Sequence, residues 1–246
     1  MKLLKTALCA AAATFAMAGA AQAQDVAFNV GVATDYVFRG IDQTFDSSGQ
    51  LFGGVDVTQD QFYGGLWLSN TGPKNGEALE YDIYAGFKPA FGGINWDFGL
   101  VYYGYTDGDI PGGSPSSDWN TLEIKAAGSM PIGPATVGAA LYYAPENPGF
   151  SSEEDSTLYL EANVAWTYKD GGPTVSAAVG TFSFDDDATA AAVGTDSYLT
   201  WNIGVTFPLT EKVALDARYH DSDSDGSAIY GVNAGDQFVA TLKYSF

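Results

Sequence analysis

Apolar and polar residues alternate along this chain with a period of two, in about twelve separate runs, the signature of half-buried β-strands. One stripe is Leu158, Leu160, Ala162, Val164, Trp166 and Tyr168, backed by Tyr159, Glu161, Asn163 and Thr167. The first run, 26–39, sets Phe28, Val30, Val32, Tyr36 and Phe38 against Asn29, Gly31, Asp35 and Arg39. The last sets Phe238, Ala240, Leu242, Tyr244 and Phe246 against Gln237, Val239, Thr241, Lys243 and Ser245. Successive side chains of a strand point to opposite faces, so each run predicts one apolar and one polar surface.

The connections alternate in length. Short ones are expected at 59–61, 89–93, 131–134, 169–172 and 208–212. Between them lie longer, acidic, Gly/Ser/Pro-rich ones at 41–49, 71–77, 106–117, 145–155, 185–195 and 221–235. A soluble β-sandwich would alternate in the same way, so periodicity alone does not choose. Strict succession of short and long connections, with both chain ends on the short-turn side, points to a closed antiparallel up-and-down transmembrane β-barrel. After residue 23 no apolar stretch approaches the roughly 20 residues of a transmembrane helix. Only a closed barrel then satisfies every backbone group in hydrocarbon. Aromatic residues strengthen this expectation. Phe87, Trp96, Trp166, Tyr168, Phe207, Tyr244 and Phe246 fall on apolar faces beside short turns, and Phe38, Tyr102, Tyr143 and Tyr219 near long loops, as two interfacial girdles would.

The two ends of the chain narrow the compartment. Lys2 and Lys5 precede an Ala-rich apolar stretch from Thr6 to Ala18, and Ala21-Gln22-Ala23 offers small residues for cleavage, so residues 1–23 are expected to be a signal peptide and 24–246 a single barrel domain. The formal net charge is −20, and removing the signal would take two basic residues and no acidic one. Nucleic acid is excluded as a partner, because binding it needs clustered Lys and Arg. The one cysteine, Cys9, would leave with the signal, and Thr6-Ala7-Leu8 before it matches a lipobox poorly. A mature chain without cysteine has no disulfide, thiolate metal site or thiol nucleophile.

Asp35-Tyr36-Val37-Phe38-Arg39-Gly40-Ile41-Asp42-Gln43-Thr44 resembles the N-terminal signature of a proteobacterial outer-membrane family called TorF or Gcw_chp, whose members are described as candidate porins. Phe62-Tyr63-Gly64-Gly65-Leu66-Trp67-Leu68-Ser69-Asn70 resembles its next recurrent segment. The terminal Phe246 resembles the closing residue of bacterial outer-membrane barrels. The resemblance implies a barrel with a passive transport role and leaves the solute open.

On this reading the polar faces line the lumen. They place Asp35, Asp56, Glu80, Asp82, Asp97, Glu123, Glu161 and Asp216 inside, with Arg39, Lys88, Lys125, Arg218 and Lys243, a mild acidic excess. Such an excess would favour cations or neutral solutes at a constriction. The alternative is a self-paired or plugged interior, with Asp35 or Asp56 bridged to Arg39. Arg39 itself could clamp a carboxylate or shape an eyelet; it could equally order loop 41–49 through Asp42 or Asp46.

Asp221, Asp223 and Asp225, followed by Gly226, resemble the first half of a calcium loop, although Val232 stands where the bidentate acid belongs. This is a weak calcium candidate, and no other cofactor is expected. His220 is the only histidine, and no G-x-S-x-G motif accompanies it, so the chain does not read as an enzyme. The leading expectation is a narrow diffusion channel for small hydrophilic solutes in the bacterial outer membrane, with periplasmic termini and extracellular acidic loops. Its partners would be membrane lipid, lipopolysaccharide and the barrel assembly machinery. The alternative is a closed barrel that stiffens the membrane or binds a surface partner.

Overall fold

The computed structural model describes residues 25–45, 49–72, 79–106, 120–147, 155–185, 190 and 192–246. The expected signal peptide, most of the acidic loop stretches at 71–77, 106–117 and 145–155, and part of those at 41–49 and 185–195 lie outside the described residues. The strands are β1 (Asp25–Ala33), β2 (Val37–Phe38), β3 (Ile41–Asp42), β4 (Gln50–Gln59), β5 (Phe62–Asn70), β6 (Leu79–Phe87), β7 (Ala90–Phe91), β8 (Ile94–Tyr105), β9 (Thr121–Ile132) and β10 (Ala135–Ala144). They continue with β11 (Thr157–Thr167), β12 (Thr174–Phe184), β13 (Ser197–Pro208), β14 (Val213–Ser222) and β15 (Gln237–Ser245).

Twelve of these form a closed antiparallel ring in which each strand pairs with its neighbour in sequence, and β1 closes on β15. The closing seam pairs Asn29 with Ser245 and Val32 with Leu242. At its short-turn end Phe246 exchanges backbone hydrogen bonds with Phe28, at 2.8 and 3.0 Å, and their rings stack at 5.6 Å. The remaining three strands are short: β7 extends the turn before β8, and β2 and β3 form a separate hairpin.

The burial pattern is inverted relative to a soluble barrel. Leu160, Val164 and Trp166 are exposed while Glu161, between them, is buried. Val30, Ile83, Leu100, Ile124, Ile203 and Leu242 are likewise exposed, and Glu80, Glu123, Lys125, Asp216, Arg218 and Thr241 are buried. Outward residues that meet hydrocarbon must be apolar, and the inward ones supply the polar surface. The aromatic girdle beside the short turns is present as expected, with Trp166, Tyr168, Phe207, Tyr244 and Phe246 exposed.

Two departures from the sequence expectation matter for the site. The first run does not continue to Arg39 as one strand: β1 ends at Ala33, and Tyr36 and Phe38 turn inward instead of facing lipid. Thr34 ends the strand by bonding β15 on both sides, its N–H to Ala240 O and its Oγ1 to Ala240 N, each at 3.0 Å. The second departure lies in 221–235, where β14 runs on to Ser222 and a short helix, α1 (Ser224–Tyr230), follows with a 3-10 turn over Gly231–Asn233. Asp223 caps that helix by accepting from the N–H of Gly226 at 3.0 Å.

Because Ala162 sits mid-strand on the outward face, Ala162→Arg is expected to destabilise the barrel in lipid vesicles by about 2–4 kcal/mol. Asn163→Arg, on the inward face, should cost far less. Urea unfolding of both variants checks the sidedness, and equal costs would contradict it.

Candidate functional site

The lumen is crossed by the β2–β3 hairpin, the segment that carries most of the Asp35–Thr44 motif. Val37 pairs with Asp42 and Phe38 with Ile41, leaving Arg39-Gly40 as a two-residue turn with φ of 49° and 81°. Positive φ at both positions is the geometry of a type I′ turn. Glycine is required at position 40 for a second reason: an added Cβ would lie 2.1 Å from Thr200 Oγ1 and 2.5 Å from Ser222 Oγ. The turn therefore presses directly on β13 and β14. Ser222 Oγ donates to Gly40 O at 2.9 Å, and Tyr198 Oη donates to Arg39 O at 3.1 Å.

Arg39 extends from the turn to the opposite wall. Its Nη1 and Nη2 lie 2.6 and 2.8 Å from Glu123 Oε1 and Oε2, a bidentate ion pair with both side chains almost wholly buried. The guanidinium carbon sits 4.7 Å from the centre of the Phe38 ring, 5.0 Å from Tyr142, 4.5 Å from Tyr159 and 5.7 Å from Phe182. Such faces attract a cation through their quadrupoles. Tyr159 reaches this position by lying flat over Gly180 of β12, where a Cβ would be 2.3 Å from its hydroxyl. Tyr36, at the base of the hairpin, donates to Glu80 Oε1 at 2.8 Å and packs edge-on against Trp67 at 5.6 Å.

Above the turn, Ile41, Tyr159, Phe182, Phe184, Tyr198 and Ala234 form a buried apolar cluster, with Ile229 and Tyr230 packed on it. An isolated bridge joins Ile41 to Ala234, so the segment after α1 lies over the hairpin. The sequence reading did not find Phe182, Phe184 and Tyr198 as inward residues. The 175–179 run extends further forward and the 199–207 run further back: unbroken parity then puts Phe182 and Phe184, and Tyr198, on the inward face.

The other predicted residues fall into separate groups. Asp97 accepts from Lys125 Nζ at 2.7 Å and Tyr63 Oη at 2.7 Å, with Lys88 Nζ at 3.9 Å. Asp216 binds Arg218 Nε at 3.1 Å, and Arg218 also donates to Asn202 and Ser176. Asp56 accepts from Tyr84 Oη at 2.6 Å, and Glu161 accepts from Tyr159 and Asn163. Glu80 and Asp82 lie two residues apart on the inward face of β6, and Asp82 Oδ1 is buried with no hydrogen-bond partner among the described residues. Lys243 is half-buried on β15. Arg39 thus pairs with Glu123, and not with Asp35, Asp56 or Asp42, the other sequence alternatives, while Asp46 lies outside the described residues; the inward turn carries Arg39 across the lumen.

Asp221, Asp223 and Asp225 do not assemble as ligands. Asp223 caps α1 and accepts from Leu199 N, Asp221 accepts from Ser222 N, and among the described residues no group of three or more such side chains is placed to hold a metal. His220 is buried on the inward face of β14.

Asp35 lies between β1 and β2, outside the strands of the barrel. Thr44 Oγ1 is 2.5 Å from Asp35 Oδ1 and 3.0 Å from Asp42 Oδ1. Burial pushes the Asp35 carboxyl up to about 6, against the pull of the Thr44 hydroxyl and the Tyr36 N–H, and the neighbouring Asp42 carboxylate adds to the rise.

A sequence profile described as "Bacterial protein of unknown function (Gcw_chp)" matches residues 17–246. The chain belongs to this family. No curated protein matches it in sequence. In fold it is similar to the NanC porin, at TM-score 0.57 and 10% identity, over 90% of this chain and 99% of that one. The KdgM porin gives 0.57 and 10%, over 89% and 99%. The COG4313 outer-membrane channel from Pseudomonas putida F1 gives 0.54 and 11%, over 92% and 96%. The chain shares with these porins the fold of a closed twelve-stranded antiparallel β-barrel.

Two outcomes are expected from this geometry. Arg39→Ala strands a buried carboxylate, so it should destabilise the folded barrel by about 3–5 kcal/mol. Adding Glu123→Gln should recover part of that loss in a double-mutant cycle read by urea unfolding; strictly additive losses would argue against the pair. For Asp35, the folded value of about 6 exceeds the ordinary 3.8, so the folded chain holds more protons between these values. Hairpin stability should then fall as pH rises through that window. Asp35→Asn should flatten this slope in the hydrogen exchange of amides 36–44.

Proposed function

We propose that this chain is a passive diffusion channel of the bacterial outer membrane, narrowed by the β2–β3 hairpin and favouring small hydrophilic cations or neutral solutes. The observation that carries the reading is the inverted barrel: a closed ring, apolar outside, with ionised side chains on its inner wall. A barrel meant only as a rigid body has no need of so many charges, because buried ion pairs contribute little net stability. The fold shared with NanC and KdgM, both called porins, agrees with this reading. The sign of the preference follows from charge. Arg39, Lys125 and Arg218 are each engaged by a carboxylate, and the inner face carries Asp56, Glu80, Asp82 and Glu161 besides, against Lys88 and Lys243. Oligogalacturonate, which is bound in one KdgM structure, is a polyanion and would be repelled here.

The chain termini and short turns would face the periplasm, and the long acidic loops the exterior, as in other outer-membrane barrels. Lipid and lipopolysaccharide would surround the apolar belt. The terminal aromatic strand would be read by the barrel assembly machinery.

A second reading, a closed barrel acting through its surface loops, is favoured by one observation. The hairpin touches wall residues from Trp67 and Glu80 round to Tyr198 and Ser222, so it fills much of the cross-section.

Planar bilayers separate the two. Discrete conductance steps with cation-selective reversal potentials, strongest at low salt, are expected for the channel. Glu80→Gln with Asp82→Asn should weaken that selectivity. A silent, correctly folded barrel would support the second reading, and anion selectivity would reject the charge argument.

A further inference from the structure

Apart from Phe38 of the hairpin itself, the side chains around the Arg39 guanidinium come from the barrel wall. Glu123 on β9, Tyr142 on β10, Tyr159 on β11 and Phe182 on β12 all belong to the barrel wall. Together they offer a carboxylate aligned for a planar fork and three aromatic faces within 5.7 Å of the guanidinium carbon. Tyr103 Oη also donates to Glu123 Oε2 at 3.1 Å, which fixes the carboxylate in orientation. A guanidinium suits this wall better than an ammonium does, because it is flat, stacks on rings and makes two parallel bonds to one carboxylate.

The hairpin backbone points the same way. Arg39 has a φ of 49°, a left-handed conformation that a side chain with a Cβ rarely adopts. Asparagine or glycine is the ordinary choice at this place in a type I′ turn. Arginine here gives up turn stability, and its guanidinium is the compensating contact. Non-glycine residues held in such conformations cluster at ligand clamps and switch regions.

We propose that the wall site formed by Glu123, Tyr142, Tyr159 and Phe182 recognises a guanidinium-bearing solute, and that Arg39 fills it in the resting barrel as a tethered competitor. An incoming guanidinium replaces the Arg39 contacts like for like, so Glu123 is never left buried and unpaired, the state that makes breaking such a pair costly. What the exchange gives up is the docking of the hairpin: Tyr36 to Glu80, Tyr198 to Arg39 O, Ser222 to Gly40 O, the ring contacts of Tyr36 and Phe38, and the packing and bridge of Ile41. The hairpin then leaves the wall and the lumen widens. This deepens the channel reading and rests on it, since the solute must enter the lumen.

The test uses the mature barrel folded in detergent micelles, with n-propylguanidinium and n-propylammonium as probes at equal ionic strength. Arg39→Asn keeps the type I′ turn and vacates the site. By calorimetric titration it should bind n-propylguanidinium at least tenfold more tightly than the wild-type chain does. Adding Glu123→Gln should abolish the gain, and n-propylammonium should bind at least tenfold more weakly. The proposal is overturned if Arg39→Asn binds no more tightly than wild type, if the double variant binds as well as the single, or if the two probes bind alike. Should Arg39→Asn fail to fold, the wild-type chain still decides: n-propylguanidinium, and not n-propylammonium, should speed hydrogen exchange of amides 36–44, and equal exchange overturns the idea. Probe binding to a barrel that never conducts retains the site and sinks the channel; conductance without probe discrimination does the reverse.

Discussion

A bilayer core offers no partner for a backbone N–H or carbonyl, and closure of the ring answers that constraint. Once β1 is paired with β15, every strand has two neighbours and no edge meets lipid. The side-chain pattern follows from closure. Outward positions must be apolar to lie in hydrocarbon, so whatever polarity the chain carries within its strands is forced inward. The charges of the lumen are therefore both a chemical resource and an electrostatic problem.

The chain handles that problem by setting three bases of the barrel wall and hairpin beside carboxylates: Lys125 at Asp97, Arg218 at Asp216, Arg39 at Glu123. Tyrosine hydroxyls satisfy several remaining acids, as Tyr84 does for Asp56 and Tyr36 for Glu80. Of these contacts, the Arg39 pair differs in kind. Lys125 and Arg218 join strands of one wall, whereas Arg39 ties a separate hairpin to the wall across the lumen.

How much of this could be read in the sequence depends on which physical rule spoke. Period-two alternation located every barrel strand, because each one separates lipid from lumen over its whole length; the run from Leu158 to Trp166 is the clearest case. The same rule misled at Tyr36 and Phe38. There the alternation continues past the end of β1, but the apolar side chains pack inside the barrel, against Trp67 and Tyr103. The local sign of a turn was present in Arg39-Gly40, and the wall it meets was not, since Glu123 lies 84 residues away and Ser222 lies 182 residues beyond Gly40. The inward charges of the strands were legible from parity alone; which acid meets which base was not, because that is set by ring register and by the hairpin. Asp223, in a spacing that resembles a calcium loop, caps a helix, a role that the spacing alone does not disclose.

The hairpin's attachments bear on the order of assembly. It hangs from β1, yet it docks on strands from β5 to β14, and its contact with Ser222 spans 182 residues of chain. Contacts of such separation carry a large loop-closure cost and form late. The hairpin cannot settle until those walls stand, and β1 itself is half of the closing seam. Zipping β1 onto β15 and drawing the hairpin into the lumen are thus mechanically one event. The barrel acquires its constriction at the moment it becomes a barrel.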